Sequence, residues 1–466
     1  MKLLENPFAL DLRSLSLMRI GIGLVLLVDL AIRSGDLSAH YTEQGILPVS
    51  LLFQYHWLPD YFSIYLIGNS PFLVSLLFIG NAGCLLALTL GYRTSLFSIL
   101  SWVFLVSLQN RNGLIQQGGD DLLRLLLFWG MFLPWGTYFS YDAKQRGKVV
   151  PSYTSVAGAG YLFLLSSMYF FSALLKQGAE WNKEFSALYY AFSLDMIVLP
   201  IGKRLYHYPS LLKYLTAITY YLELLGPFLL LSPIKRNICR SLFIGLFFAM
   251  HLGILLTLYV GLFPFISVVA LLGVIPGSFW EKIHSHSTKG EEVVSPLEEE
   301  FQVVSSLSTF FILYSVYLNI ISVWPYCSNA DAYVQPISQV LRLDQKWGMF
   351  APFVFRDDGW YVMEGKVAKG KIDIYQMGAP ISYVKPDLVV DRVKNDRWRK
   401  YQENILFRDR AYLRPYYCRW LLKEWNKKAK RDQVVSELEL VYMKEVTLSN
   451  YQSSSVTREV LCVCQK

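Results

Sequence analysis

Between Arg33 and Arg93 the sequence holds no Lys or Arg, although Asp36, His40, Glu43 and Asp60 all fall in that stretch. Lys and Arg collect on the cytoplasmic side of membrane proteins, so this absence excludes a cytoplasmic loop and places the amino terminus inside. Charge is scarce throughout: 17% of residues are charged against 53% hydrophobic, with mean hydropathy +0.32. That balance gives a water-soluble globule too little polar covering. Soluble-enzyme signatures are missing as well, with no GxxxxGK[ST] loop, no GxGxxG, no HExxH and no GxSxG elbow, so their chemistries are excluded. No internal repeat and no nucleic-acid motif is evident. The net charge of +8 reports orientation and headgroup contact, with no nucleic-acid partner implied.

What the chain does have is long apolar runs. About nine are of a length to cross a bilayer as helices, some marginally. They are 15–32, 71–90, 96–108, 122–138, 153–175, 211–231, 242–260, 262–280 and 304–323. Threading them alternately puts Arg93, then Lys144, Arg146 and Lys148, then Lys235, Arg236 and Arg240 on the cytoplasmic side. Arg19 interrupts the first run, which suits a retained anchor better than a cleaved signal peptide.

Past Val323 the runs shorten, charges crowd in and Gly and Pro punctuate. We read residues 1–323 as a transmembrane domain and 324–466 as an α+β domain that an odd number of spans places outside. Within it, 360–367 and 371–375 alternate around Lys369-Gly370 as a hairpin. Helices are expected at 397–406 and 412–430, and strands at 438–448 and 456–463. The fold class is therefore mainly α: a polytopic helical bundle with a small extracytoplasmic α+β domain. Cys327, Cys418, Cys462 and Cys464 either pair in an oxidising compartment or stay as buried thiols. Cys462-Val463-Cys464 puts both sulfurs on one face of a strand, a spacing unlike common zinc sites. No metal site is expected; His284-Ser285-His286 sits in a polar loop and reads as solvated.

Ionisable residues inside apolar runs need a compensating role, because burying one costs about 2.5–3.5 kcal/mol on insertion scales. Asp29 and Arg33 are spaced for an intrahelical ion pair, with Arg33 snorkelling outward. Glu223 is either protonated, hydrogen-bonded to a neighbouring helix, or paired with a cation such as Arg124. His251 faces the same choice, with a hydrogen bond between helices as one answer. The polar stretch 110–121 should line a mouth: Asp120 or Asp121 caps the next helix, and Arg111 with nearby amides offers an anion contact. Lys176, at the outer end of its run, is either a snorkelling anchor or an amine that loses its proton at a low-dielectric boundary and serves as a general base.

Several blocks occur together in order. They are Arg19-Ile20-Gly21 with Asp29 and Asp36-Leu37-Ser38-Ala39-His40-Tyr41; Asn110-Arg111-Asn112 with Gly119-Asp120; Phe132-Leu133-Pro134-Trp135; and Lys176-Gln177-Gly178-Ala179-Glu180-Trp181. Tyr221-Leu222-Glu223-Leu224, Phe248-Ala249-Met250-His251, Gly261-Leu262-Phe263-Pro264 and Trp347-Gly348-Met349-Phe350-Ala351-Pro352 follow. Over most of its length the chain thereby resembles the HTTM family, which includes the vitamin K-dependent gamma-carboxylases. The resemblance implies carboxylase or epoxidase chemistry in which a lysine, here Lys176, deprotonates a reduced quinone. O₂ adds, the resulting alkoxide abstracts a carbon-bound proton from a glutamate, and CO₂ adds to the carbanion. Asn110, Arg111, Asp120, Glu180, Trp181, Glu223 and His251 would shape the substrate site.

Implied partners are a membrane lipid or quinone, and a protein or peptide substrate at the outer domain. Arg111 marks a departure: the carboxylases carry histidine there, and a guanidinium that never deprotonates cannot replace an imidazole. Short loops suit a bacterial inner membrane. A non-catalytic quinone-binding protein is the alternative reading, and a transporter ranks last because matching halves show no paired interruptions.

Overall fold

Local chemistry sets the ends of the long apolar helices. Helix α1 (Leu12–Ser34) starts at Asp11, whose carboxylate accepts from the Arg13 amide, and α2 (Pro71–Leu90) starts on Ser70 with Pro71 in its first turn. Gly91, at φ +69°, ends α2 in the left-handed conformation that glycine adopts freely. The computed structural model describes residues 4–145, 149–283, 301–324, 331–449 and 452–466. Further along come α3 (Thr94–Arg111), α4 (Gly118–Gly130), α5 (Val156–Leu175), α6 (Pro209–Leu230), α7 (Arg236–Thr257), α8 (Phe263–Leu272) and α9 (Phe301–Val323).

All nine apolar runs are helical over at least part of their length, but they are not equally able to cross a membrane. Among the described residues five helices are long and apolar enough: α1, α2, α5, α7 and α9, the last counted from Gln302. A sixth is added if α8 and Gly277–Ile283 count as one span bent by 79°. That bend falls at Pro276, which cannot donate a backbone hydrogen bond. The run at 122–138 becomes only a 13-residue helix. Its remainder turns back so that the Trp135 ring occupies the space over Gly130, 2.1 Å from where a Cβ would sit. The run at 96–108 lies in α3, whose C-terminal end is polar through Gln109, Asn110 and Arg111. Pro227 lies within the last turn of α6, which continues to Leu230.

At one end of the bundle the short strand Leu10–Asp11 pairs antiparallel with Ser152–Tyr153, and Leu4 bridges to Ile234. Arg240 donates to the Pro7 and Ala9 carbonyls at 2.6 Å each. Arg19, fully buried, donates to the carbonyls of Leu88, Trp135 and Phe139. The segments carrying Arg93, Lys235 and Arg240 therefore share one end.

The C-terminal part packs on the other end. Strands β1 (Asp357–Val367), β2 (Gly370–Asp373), β3 (Ala379–Pro380), β4 (Glu437–Val446) and β5 (Thr457–Gln465) form one antiparallel sheet in the order β3-β2-β1-β4-β5. The expected hairpin is present, with Val367 opposite Gly370. Helices α10 (Asp396–Leu406) and α11 (Arg414–Lys428) follow the first hairpin, and Cys418 on α11 is bonded to Cys464 on β5. Cys462 is a free thiol, whereas Cys327, His284 and His286 lie outside the described residues, as does the stretch just after Trp324 where the domain boundary was expected.

Candidate functional site

Helix α5 presents Tyr169, Ser172 and Lys176 at i, i+3 and i+7, a spacing that stacks them along one face. Lys176 caps the helix, and its residue is only 3% exposed. Its Nζ donates to Ser172 Oγ at 2.8 Å and to the Glu223 carboxylate on α6, and stands 4.9 Å above the Trp181 ring. The amine thus has an anion, a hydroxyl and an aromatic face around it. Of the three states open to Glu223 (protonated, hydrogen-bonded to a neighbouring helix, or paired with a cation such as Arg124), the structure has it paired with a cation, and that cation is Lys176. Arg124 instead faces Asp121 at 3.0 Å and donates to Gln109 and to the carbonyls of Arg342 and Asp344.

Two turns back along α5 from Lys176, Tyr169 meets His251 of α7, with 2.8 Å between the hydroxyl and Nε2. The imidazole is buried, and its Nδ1 has no hydrogen-bond partner among the described residues. The Phe263 ring at the start of α8 lies 5.5 Å from it, edge-on.

A strap formed by residues 347–354 closes over this cluster. The Trp181 indole N–H donates to the Phe350 carbonyl at 2.9 Å, and the Gly178 amide to the Pro352 carbonyl at 3.0 Å. Glu180 accepts from the Val354 amide at 3.1 Å. Glu180 therefore fastens the strap rather than facing Lys176. On the other flank Met349 lies against Gly118, where a Cβ would come within 2.8 Å of its Sδ.

The remaining expected site residues belong to a different construction. Asp120 closes a capping box at the start of α4 by accepting from the Gln117 amide at 2.8 Å. It also binds Arg33 at 2.8 Å and Arg397 of α10 at 2.5 Å. Asp29 accepts from the same two guanidiniums at 2.7 Å each. Two cations and two anions alternate in a closed, neutral ring, so Arg33 does not snorkel: it is 1% exposed.

Asn110 donates to the Phe62 carbonyl at 2.8 Å and accepts from Arg342. Arg111, fully buried, donates to the carbonyls of Leu47 at 3.1 Å and Thr42 at 3.3 Å. The 110–121 stretch does not line an open mouth, because it is buried and bonded largely to backbone carbonyls and α10, Arg111 Nε alone of its guanidinium nitrogens lacking a partner among the described residues; Asn404, for one, donates to the Leu114 carbonyl at 2.6 Å. His40 stacks on Trp398 at 4.5 Å, and burial pulls its imidazole down to about 3, so it is neutral.

Lys176, Glu180, Trp181, Glu223 and His251 thus belong to one region, while Asn110 and Asp120 bind Arg342 and Arg397 of the C-terminal part and Arg111 ties down the 42–47 loop. Tyr169, Ser172 and the strap were missed from the sequence, although the helical spacing of Tyr169, Ser172 and Lys176 was there to be found. Two small cavities lie elsewhere and Lys176 lines neither; one is bounded by Asp29, Asn81 and Ser101, the other by Trp360, Tyr361 and Gln402. No family model matches the chain, and no curated protein or solved structure matches it either.

Proposed function

We propose that this chain is a multi-pass membrane protein acting on a reduced, quinone-like lipid, with Lys176 as the base that takes the proton from the lipid hydroxyl. The observation that carries this reading is the enclosed Lys176–Glu223 pair at the outer end of α5. An amine held against a carboxylate can pass its proton to that carboxylate and become a neutral base, and a site closed to water preserves whatever strong base the oxidised lipid supplies. Ser172 and Trp181 hold the amine in place, and release of the strap at Phe350 and Pro352 admits the lipid. The gathering of Leu10, Tyr153, Ile234 and Arg240 at one end agrees with a cytoplasmic amino terminus, and the outer domain then faces the exterior. O₂ is the co-substrate of quinol oxygenation. CO₂ would join only in a carboxylase, and Arg111, bonded to backbone carbonyls, supplies no imidazole for it.

The direct test is conversion of quinol to epoxide by the purified protein in lipid. Lys176→Met should abolish turnover, and undiminished activity in that variant removes the lysine from the mechanism. The ion pair itself favours a second reading, in which Lys176 and Glu223 simply neutralise one another between helices and the protein holds a quinone without converting it. Tight quinone binding with no turnover would select that reading.

A further inference from the structure

The Cys418–Cys464 disulfide joins α11 to the edge strand β5 across a sequence separation of 46 residues. Two residues before Cys464 stands Cys462, a free, half-buried thiol. Residues i and i+2 of a strand share a face, and the pairing with β4 bears this out. Cys462 lies opposite Leu440 and Cys464 opposite Leu438, both leucines are fully buried, and the intervening Val463 is 52% exposed. Both strand cysteines therefore face the core side against which α11 packs. Burial pushes the Cys462 thiol above its ordinary value, and Arg419 and Arg414 of that helix, on either side of Cys418 in sequence, oppose this only in part, so alkaline pH is needed to form the thiolate. Three sulfurs and two guanidiniums are gathered along one helix–strand seam.

We propose that Cys462 and the Cys418–Cys464 disulfide form an internal thiol–disulfide exchange site. The Cys462 thiolate attacks the Cys418 sulfur; a Cys418–Cys462 bond forms as the Cys418–Cys464 bond breaks, and the electron pair of the broken bond leaves on Cys464. The proton lost by Cys462 is regained by Cys464 through solvent, so nothing is oxidised or reduced overall and no outside oxidant is consumed. Cys464 is the better leaving group because it is half-exposed, whereas Cys418 is fully buried; a developing thiolate is disfavoured in an apolar interior. The exchange slides the helix–strand staple by one strand repeat and moves the free thiol from position 462 to 464. That thiol is then the point of attack on an outside disulfide of a partner protein.

The experiment uses the full-length protein in detergent, purified without reductant. Free thiols are trapped with N-ethylmaleimide at increasing times after a shift to mildly alkaline buffer, and disulfide-linked peptides are mapped by mass spectrometry. Exchange predicts maleimide on Cys464 as well as Cys462 and two linked species, Cys418–Cys464 and Cys418–Cys462. In Cys462→Ser only the Cys418–Cys464 species should remain, with no labelled Cys464. A wild-type protein in which Cys462 alone is ever labelled overturns the proposal, as does Cys462 bonded to a cysteine other than Cys418 or Cys464. In a second arm, Cys464→Ser incubated with glutathione disulfide should form Cys418–Cys462. If that variant folds, by its circular dichroism, yet leaves both thiols free, the proposal is equally overturned.

Discussion

Two buried ionic systems lie toward the end of the bundle on which the C-terminal part packs, and they differ in what their cations can do. In the Asp29–Arg33–Asp120–Arg397 ring each carboxylate is bound by two guanidiniums, in fork geometry and at full charge balance. A guanidinium stays protonated in proteins, so the ring can hold elements together but cannot exchange protons. At Lys176 the cation is an ammonium with one carboxylate, one hydroxyl and one aromatic face. An amine, unlike a guanidinium, can give its proton up, and the proposed function relies on this. Arginine makes the fixed joint; under the proposed function lysine makes one that changes state.

The largest effect should come from breaking the ring. Arg397→Met leaves two buried carboxylates against Arg33 alone and should destabilise by about 3–5 kcal/mol, the cost of orphaning one side of a buried pair. Thermal unfolding in detergent would show it, together with faster amide exchange in α10. Retention of wild-type stability would show that the ring is not the joint described here.

The Lys176 system should respond differently. Glu223→Gln keeps an acceptor for the amine and should cost about 1–3 kcal/mol. The paired change Lys176→Met with Glu223→Leu should restore stability or exceed it, because apolar replacement of a whole buried ion pair is often neutral or favourable. Under the proposed function that doubly substituted protein is stable and inactive. A stable and active one would make the pair purely structural.

A third system sharpens the contrast, since its carboxylates outnumber what surrounds them. Asp195, Asp358 and Glu445 crowd together between Lys203 and Lys385, and the Asp195 amide donates to Asp358 at 2.6 Å. Burial, and then the charge of Asp195, push the Asp358 carboxyl from 3.8 up to about 7. A carboxyl whose folded value is raised stabilises the fold fully below its ordinary value. That contribution is lost as pH rises through the folded value. The unfolding temperature should therefore fall as pH rises from 4, most steeply at about 5–6, and level off above about 7, and Asp358→Asn should flatten the profile. A wild-type profile already flat over that range would remove the cluster as a source of pH dependence. The smallest effect belongs to the strap: Trp181→Phe deletes one hydrogen bond to Phe350 and should cost about 1 kcal/mol, read as increased proteolysis within 347–354.

Much of this architecture was legible in the sequence, because apolar periodicity is local. The apolar runs became helices, and the alternation at 360–367 and 438–448 became paired strands. Helix length was less so: the run at 122–138 counts as one span on hydropathy, yet the helix ends at Gly130, where close packing of Trp135 decides. The site divided along the same line. Lys176, Glu223 and His251 stood out as charge or imidazole in apolar surroundings. Their partners did not, since whether Glu223 meets Lys176 or Arg124 depends on which helices pack together. Arg397 was least visible of all, reaching Asp120 across a sequence separation of 277 residues.

The pairing of Leu10–Asp11 with Ser152–Tyr153, and of Arg240 with the Pro7 and Ala9 carbonyls, bears on the order of assembly during synthesis. The segment before α1 leaves the ribosome first, but it has nothing to dock on until residues 152 and 240 have followed it. Its hydrogen bonds are consequently among the later ones to form at that end. A nascent chain halted before residue 150 should leave this segment open to protease, and one extended past residue 260 should protect it.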